Sequence, residues 1–235
     1  YLYNAPNPGI LTPLIATQGV LFPYTPAISI NYAAGYDNSS PTHSNYKIFQ
    51  YQSSYVDSFT ITCDFTAQDI FEANYLLAVI HFFRSVTKMF YGQDQNPLRG
   101  TPPPLCYLTG MGAFNFDQHP LAVTQFTYTL PTDVDYIPAG NAAYIAGQNQ
   151  GQTGSKVIPR YGPGISTGGT TPPPAFSNNP TGSVDPTYVP TKISMSIQAN
   201  PIVSRNDISN SFSLKDYGSG QNYRGSQRPN GAGIW

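Results

Sequence analysis

The residues that could perform acid–base or metal chemistry are few and lie far apart along the chain. Asp133 and Asp135 form a pair of carboxylates at strand spacing, and such a pair can carry out acid–base catalysis or bind Ca²⁺. Two carboxylates at a strand end are more often solvated or paired with arginine. The single glutamate, Glu72, falls in a predicted helix. These residues favour no enzymatic mechanism, and we expect a protein that is not an enzyme.

Histidine and cysteine show no metal-binding spacing. His43, His81 and His119 are scattered, and the sequence contains neither H-x₃-H nor C-x-x-C. Cys63 and Cys106 lie in predicted strands, and two cysteines in a chain of 235 residues do not form a disulfide framework. We expect two buried free thiols and no cofactor. A G-x-S-x-G elbow, a P-loop and a Rossmann fingerprint are also missing.

The composition indicates a β-rich chain, which could be a secreted or assembly-bound β-protein or a subunit that is buried in a complex. Only 10% of the residues are charged, against about 25% in a typical domain, and a surface with few charges is poorly protected against association. The net charge of −1 excludes a basic nucleic-acid footprint. Glycine (21) and proline (23) make up nearly a fifth of the residues, which favours turns and extended structure.

No stretch of the sequence predicts a membrane span or a signal peptide. The longest apolar stretch, Tyr75 to Phe83, is interrupted by His81 and is too short for a bilayer. The chain starts at Tyr1 and not at methionine, so we expect an N-terminus that has been trimmed.

Four segments alternate strictly between apolar and polar residues, which predicts strands buried on one side. They cover residues 28–32, 55–65, 125–130 and 193–199. Shorter strands are expected at Lys47–Tyr51, Leu105–Thr109 and Phe114–Phe116. The predicted fold class is mainly β, an antiparallel β-barrel or sandwich with one flanking helix.

The polar faces of these strands carry serine, threonine, asparagine and glutamine with almost no lysine or arginine. The most central positions are Thr60, Thr62, Gln125, Thr127, Ser194 and Ser196. One interpretation is an ordinary solvent-facing sheet, which is often rich in threonine. The other is a hydrated lining that does not hold a passing polyanion, because phosphate binding depends mainly on lysine and arginine.

One helix is expected over Ala67 to Lys88, with Thr66 as its N-cap. An apolar arc at helical spacing predicts the side that packs on the sheet: Phe71, Tyr75, Ala78, Val79, Phe82, Phe83 and Val86. Ile70, Leu77 and Ile80 fall outside this arc. A helix that is apolar on more than one side is usually covered on more than one side. Either the chain's own loops or a neighbouring subunit would supply that cover.

The regular pattern ends after Pro138. Residues 138–186 form a Pro/Gly-rich insertion or arm, and residues 204–235 form an extended polar tail within a single domain of residues 1–235. The tail ends on the only tryptophan, Trp235, which could anchor in a partner pocket or fold back on its own chain.

Several segments in a fixed order resemble a known family. They are His43-Ser44-Asn45-Tyr46, Thr87-Lys88-Met89-Phe90-Tyr91-Gly92, Gly100-Thr101-Pro102-Pro103-Pro104, Gly110-Met111-Gly112, residues 130–137, residues 212–217 and Gly233-Ile234-Trp235. This set is similar to the tail-tube-like baseplate proteins of contractile-tailed bacteriophages, the tube initiators that cap the baseplate hub. The resemblance covers roughly residues 20–137 and 191–235.

The resemblance implies a tail-tube β-barrel fold with the helix on the outside and a homo-oligomeric, six-membered ring in the virion baseplate, assembled in the host cytoplasm. Thr60, Thr62, Gln125, Thr127, Ser194 and Ser196 would line a lumen that passes tape-measure protein and DNA. Ile70, Leu77, Ile80 and Trp235 would be candidates for a subunit interface. Tail-tube subunits, hub proteins, and sheath or wedge proteins would be the partners, without a membrane. Two alternatives stay open: a repeating tail-tube subunit, and a receptor- or glycan-binding domain of a tail fibre.

Overall fold

The alternating segments form the long strands of a mainly β, antiparallel structure. A computed structural model of the chain describes residues 8–92, 99–112, 114–115, 118–140 and 187–223. The strands are β1 (Ala27–Ser39), β2 (Ile48–Thr66), β3 (Cys106–Leu108), β4 (His119–Tyr128), β5 (Tyr136–Ala139), β6 (Thr187–Pro190) and β7 (Lys192–Pro201). The helices are α1 (Pro13–Thr17), α2 (Ile70–Val86), α3 (Arg205–Ser211) and α4 (Leu214–Gly218), with short 3₁₀ turns at Gly9–Leu11 and Gln221–Tyr223.

Five strands form one sheet in the order β1-β2-β7-β4-β3, and β5 pairs with β6 in a separate ribbon. The β1–β2, β3–β4 and β4–β7 pairs are antiparallel. The Asp64–Ser194 hydrogen bond and the Cys63–Met195 contact show that β2 and β7 also run in opposite directions. The strand predicted at Lys47–Tyr51 is the first part of β2, and Phe114 and Asn115 lie in a turn and not in a strand.

One face of this sheet supplies its hydrophobic core. Alternate residues of β2, β4 and β7 are buried, namely Val56, Phe59, Ile61, Cys63, Phe65, Leu121, Val123, Ile193, Met195, Ile197 and Ala199. The predicted alternation is therefore confirmed from Phe59 to Phe65 and along β7. Tyr55, expected on the same face as Phe59, is 45% exposed, because a register shift in the β1–β2 pairing leaves Val56 as the buried residue. At the end of helix α2, Phe83 stacks on Phe126 with ring centroids 5.2 Å apart, and Phe126 stacks on Tyr128 at 5.5 Å.

The chain contains two compact units. One comprises Tyr1–Leu21, Thr66–Phe82 and Leu130–Lys192, and the other comprises Phe22–Phe65, Phe83–Thr129 and Ile193–Trp235. In the first unit, the Tyr75 hydroxyl accepts a hydrogen bond from Leu21 N at 2.6 Å and donates to Leu21 O at 3.1 Å. The Asn74 side chain accepts from Gly140 N at 2.7 Å. The N-terminal segment and the ribbon thus both attach to the helix.

Helix α2 differs from its prediction at its cap and on its apolar faces. It begins at Ile70, where Asp69 Oδ1 accepts a hydrogen bond from Glu72 N and Glu72 Oε2 accepts from Gln68 N, both at 2.8 Å. The cap is therefore Asp69, three residues after the predicted Thr66. Seven of the eight residues 73–80 are buried, so the middle of the helix is covered all around and the helix is not an exposed flank. Phe71, expected in the packed arc, is 61% exposed.

The segment expected as an extended tail begins with two short helices. Ser204 caps α3 and Ser213 caps α4, and each serine side chain accepts a hydrogen bond from the amide three residues later. Residues 224–235, including the predicted anchor Trp235, lie outside the described residues, as do residues 141–186 of the predicted insertion.

Candidate functional site

The six predicted lining residues lie on one face of the five-stranded sheet. Thr127 is the direct cross-strand partner of Ser196, and directly paired residues point to the same side. The Ser194 hydroxyl donates to the Asp64 carboxylate, which places the polar side of β7 beside the polar side of β2. Because side chains alternate along a strand, Thr60, Thr62, Gln125, Thr127, Ser194 and Ser196 share this face.

The polar face contains more residues than the six that were predicted from the sequence. The register of β1 on β2 pairs Ser29 with Thr60 and Asn31 with Ser58, and β4–β7 pairs Gln125 with Gln198. Four further polar residues therefore belong to it: Ser29, Asn31, Ser58 and Gln198. Their alternation with apolar neighbours is the sequence signal that identifies them. All ten side chains are exposed or half-buried, so the face is open to solvent in the single chain.

Electrostatically, this face offers almost nothing that attracts a polyanion. Lys192, the first residue of β7, is the one lysine or arginine within the strands of the sheet, and alternation along β7 places it on the same side as Ser194. Two carboxylates balance this lysine and repel phosphate: Asp64 lies beside Ser194 near the end of β2, and Asp57 accepts a hydrogen bond from the Asn31 side chain. The other side chains present hydroxyls and amides, among them a Gln125–Thr127 hydrogen bond of 3.2 Å. The phosphate groups of a nucleic acid next to such a surface would find hydrated polar side chains and no strong binding site.

Both edges of the sheet are unpaired over long stretches within the described part of the chain. β1 pairs with β2 on one side, and no described strand pairs with its other side. β3 covers β4 only at His119–Leu121, which leaves residues 122–128 of β4 without a described partner on that side. An unpaired strand edge is a template for pairing with another chain.

Two cations lie beside the open stretch of β4. A cavity of about 480 Å³ is lined by Arg84, Thr87, Lys88, Thr124, Gln125 and Phe126. Arg84 and Lys88 lie at and just after the end of helix α2, where the helix dipole favours positive charge. They belong to the helix and not to the strands, but the cavity brings them next to Gln125, one of the ten residues of the polar face.

The residues that could carry out catalysis or bind metal are not brought together. Asp133 and Asp135 are exposed in the bend before β5, and the three histidines lie in a loop, in helix α2 and at the start of β4. No group of three His, Cys, Asp or Glu residues within the described ranges could hold a metal ion.

The two cysteines are free thiols, as predicted, but only Cys63 is buried, and Cys106 is half-buried. Burial raises the pKa of the Cys63 thiol to about 12, with a further contribution from the charge of Asp64, and burial raises that of Cys106 to about 11. Thiolates are the reactive form of cysteine, so both thiols are slow nucleophiles at neutral pH.

The predicted interface residues of helix α2 are placed differently from one another. Leu77 is 5% exposed and Ile80 is 6% exposed, so both belong to the hydrophobic core of the single chain and not to an exposed subunit interface. Leu77 lies against Gly140 at the end of β5, where an added Cβ would come within 3.1 Å of the leucine Cδ2. Of the two sources of cover that the sequence left open, the chain itself covers these positions. Ile70 is half-buried.

Comparisons with known proteins give no family assignment. A scan against protein-family models, a search of curated proteins and a search of solved structures each found no match. None of the helices in the described part of the chain is long and apolar enough to cross a membrane.

Proposed function

We propose that this chain is a structural subunit of a ring at the baseplate end of a contractile phage tail, where it continues the tail-tube channel and nucleates tube assembly. The observation that carries the proposal is the polar face shared by four neighbouring strands, which carries the carboxylates of Asp57 and Asp64 and a single cation, Lys192. Such a face suits the wall of a channel that passes DNA and tape-measure protein without retaining them. The resemblance of the ordered motifs to tube initiators supports the same function.

The two open edges explain how a ring would close. β1 carries Ser29 and Asn31 on the polar face and Ile28 and Ile30 on the other. The open stretch of β4 alternates in the same way, with Gln125 and Thr127 opposite Phe126 and Tyr128. Pairing β1 of one copy with β4 of the next therefore continues both faces without interruption. Since β1 and β4 run in opposite directions in the sheet order, the new pair is antiparallel as well.

Six copies that contribute β1, β2, β7 and β4 give a closed sheet of about 24 strands. Barrels of 16–18 strands already enclose an aqueous channel. With strands about 4.8 Å apart, the backbone diameter is roughly 40 Å before strand tilt is included. Closure also removes both strand edges, which would otherwise promote aggregation.

A second function is favoured by the exposed tyrosines. Tyr36, Tyr46 and Tyr51 are 58–65% exposed, and exposed aromatic rings can stack on sugars in a glycan-binding domain of a tail fibre. That function requires glycan binding and has no channel. A repeating tail-tube subunit would share the ring, but would form tubes of indefinite length.

The edge pairing is tested by engineered disulfides. Within one copy β1 and β4 are three strand spacings apart, about 14 Å, while a disulfide needs Cα atoms within about 7 Å. A bond between Ser29→Cys and Thr127→Cys therefore forms only between copies. After oxidation we expect a series of covalent oligomers whose largest member contains as many copies as the ring. This result is expected either with this pair or, if the register is shifted, with the pair of Asn31→Cys and Thr127→Cys.

The control for oxidation is Ser29→Cys with Thr60→Cys, which are direct partners within one copy and should give an intramolecular bond. The raised pKa values of Cys63 and Cys106 lower their thiolate fractions and so slow the reaction of the native thiols. Monomers in both edge pairs, with the control pair oxidised, would contradict the proposed ring closure.

A further inference from the structure

Two cations lie at one of the two open strand edges of the sheet. Arg84 and Lys88 line a cavity together with Thr124, Gln125 and Phe126, on the stretch of β4 that no described strand covers. Both cationic side chains are exposed, and within the described ranges neither forms an ion pair with a carboxylate. The open edge of β4 is therefore positively charged.

The other open edge carries the opposite charge. β1 contains no lysine or arginine, and the Asn31 side chain donates a hydrogen bond of 3.2 Å to Asp57 Oδ2 on the neighbouring strand β2. Asp57 is the extra residue of a β-bulge, because Asn31 pairs with Ser58 and Tyr32 pairs with Val56. Its side chain is exposed. The Asp57 carboxylate is thus turned toward β1 and open to solvent.

One register of the proposed ring brings these charges together. If Ser29 of one copy pairs with Thr127 of another, antiparallel pairing places Asn31 opposite Gln125. Two strand spacings, about 10 Å, then separate β4 from β2 of the next copy, and the Asp57 carboxylate, bonded to Asn31, lies within that distance of Gln125. Because this is also about the Debye length at roughly 0.1 M ionic strength, salt screens the attraction to the two cations only in part.

The shifted register separates the same charges. If Asn31 pairs with Thr127 instead, Asp57 moves two residues along β4, about 7 Å, away from Gln125. The attraction to the cations of the cavity is then weaker, because the separation exceeds the Debye length.

Asp57 is selected among the described carboxylates by its position beside an open edge. Asp64 lies between β2 and β7, inside the sheet. Asp37 belongs to β1, but in the register that pairs Ser29 with Thr127 it falls opposite His119, where β3 already occupies the edge of β4. The others lie outside the strands: Asp69, Glu72, Asp133, Asp135, Asp207 and Asp216.

We propose that Arg84 and Lys88 of one copy attract Asp57 of the next, and that this attraction selects both the partner edge and the register in which Ser29 pairs with Thr127. Pairs of like edges are disfavoured, since two β4 edges would bring four cations together and two β1 edges would bring two carboxylates together. The inference rests on the proposed ring and adds the residues that decide how its copies join.

Reversing the charge of each edge tests the attraction. Arg84→Glu with Lys88→Glu makes the β4 edge acidic, and Asp57→Lys makes the β1 edge basic. All three side chains are exposed, so circular dichroism and thermal unfolding should match wild type. Each variant alone should self-associate at least roughly tenfold more weakly in sedimentation velocity, because every contact then joins like charges. An equimolar mixture should recover assembly, because the two variants can alternate around an even-membered ring.

Two further variants serve as controls. Asp37→Lys changes the net charge as much as Asp57→Lys does, on β1 but outside the paired stretch, and should associate like wild type. Asp57→Asn keeps an acceptor for Asn31 while removing the charge, and should weaken association less than Asp57→Lys. Wild-type association of the reversed variants, or a mixture that fails to recover, would overturn the proposal.

Disulfide yields separate a failure of this inference from a failure of the ring. The Ser29→Cys and Thr127→Cys pair should crosslink several-fold more than the Asn31→Cys and Thr127→Cys pair, and should lose yield when Arg84 and Lys88 are reversed. Equal yields in the two registers, or yields that do not respond to the reversal, would overturn the charge selection and leave the ring intact. No crosslink from either pair would contradict the ring and this inference with it.

Discussion

Leu77→Asp is expected to destabilise the folded chain by about 3–5 kcal/mol, because it places a carboxylate without a partner in the hydrophobic core. Leu77 is 5% exposed and lies against Gly140, at the base of the β5–β6 ribbon. A loss of this size is a large part of the 5–15 kcal/mol that holds a typical domain together. Urea unfolding followed by circular dichroism should show a much lower midpoint, or a chain that is unfolded without denaturant.

Phe71→Asp is the matched control on the same helix. Phe71 is 61% exposed in the first turn of α2, where a negative charge is favoured by the helix dipole. The free energy of unfolding of the Phe71→Asp variant should stay within about 0.5 kcal/mol of the wild-type value. If Leu77→Asp instead kept wild-type stability and lost only self-association, Leu77 would be an interface residue and its burial in the single chain would not hold in solution.

The second large effect is expected from a cation on the polar face. Thr62→Lys or Thr127→Lys in phage particles would add one lysine per subunit to the channel wall. At about 4 Å in water, each lysine attracts a phosphate by about 1 kcal/mol, and six lysines in one ring act on the same DNA. We expect DNA ejection to slow by at least roughly tenfold, with a matching loss of infectivity, and higher salt to restore the rate because counterions compete for the phosphates.

Thr62→Gln and Thr127→Gln control for side-chain length without adding charge, and both should eject DNA at close to the wild-type rate. Electron micrographs of the variant particles must show complete baseplates, so that a failure of assembly is not mistaken for a block of passage. If the lysine variants formed complete particles and ejected DNA at the wild-type rate, Thr62 and Thr127 would not be part of the channel wall.

The sheet was predictable from sequence because a strand has a period of two residues. Once Phe59, Ile61 and Cys63 are assigned to the core, the alternation places Thr60 and Thr62 on the opposite face. The same rule identified the polar sides of β4 and β7, and pairing in the structure joined them into one surface. The order of the strands and the two open edges could not be predicted, because they depend on contacts between residues far apart in the chain.

The surroundings of helix α2 were not predictable for a different reason. A helix with apolar residues on nearly every side gives no strongly preferred direction for packing. The arc predicted from spacing put Phe71 on the packed side and Leu77 outside it, whereas the structure exposes Phe71 and buries Leu77. The burial of each helix position depends on which other segments of the chain cover it, and those segments have no periodic sequence pattern. Leu21 bonds to Tyr75, and Gly140 contacts both Asn74 and Leu77.

The C-terminal helices did have a local signal. Ser204 with Asp207 and Ser213 with Asp216 repeat a serine followed three residues later by an acidic residue, which is close to the capping box of a helix start. The polar, glycine-containing composition of this region outweighed that signal and favoured an extended tail. Short helices of five to seven residues carry too little apolar periodicity to be recognised in any other way.

The central claim is that copies of this chain close into a ring around an open channel lined by the polar face. Electron microscopy of the purified chain, alone and mixed with baseplate hub proteins, tests it most directly. We predict discrete six-fold rings with a continuous inner barrel of roughly 40 Å backbone diameter. Long tubes would identify a repeating tube subunit, and monomers or trimers without a channel would contradict the proposed function.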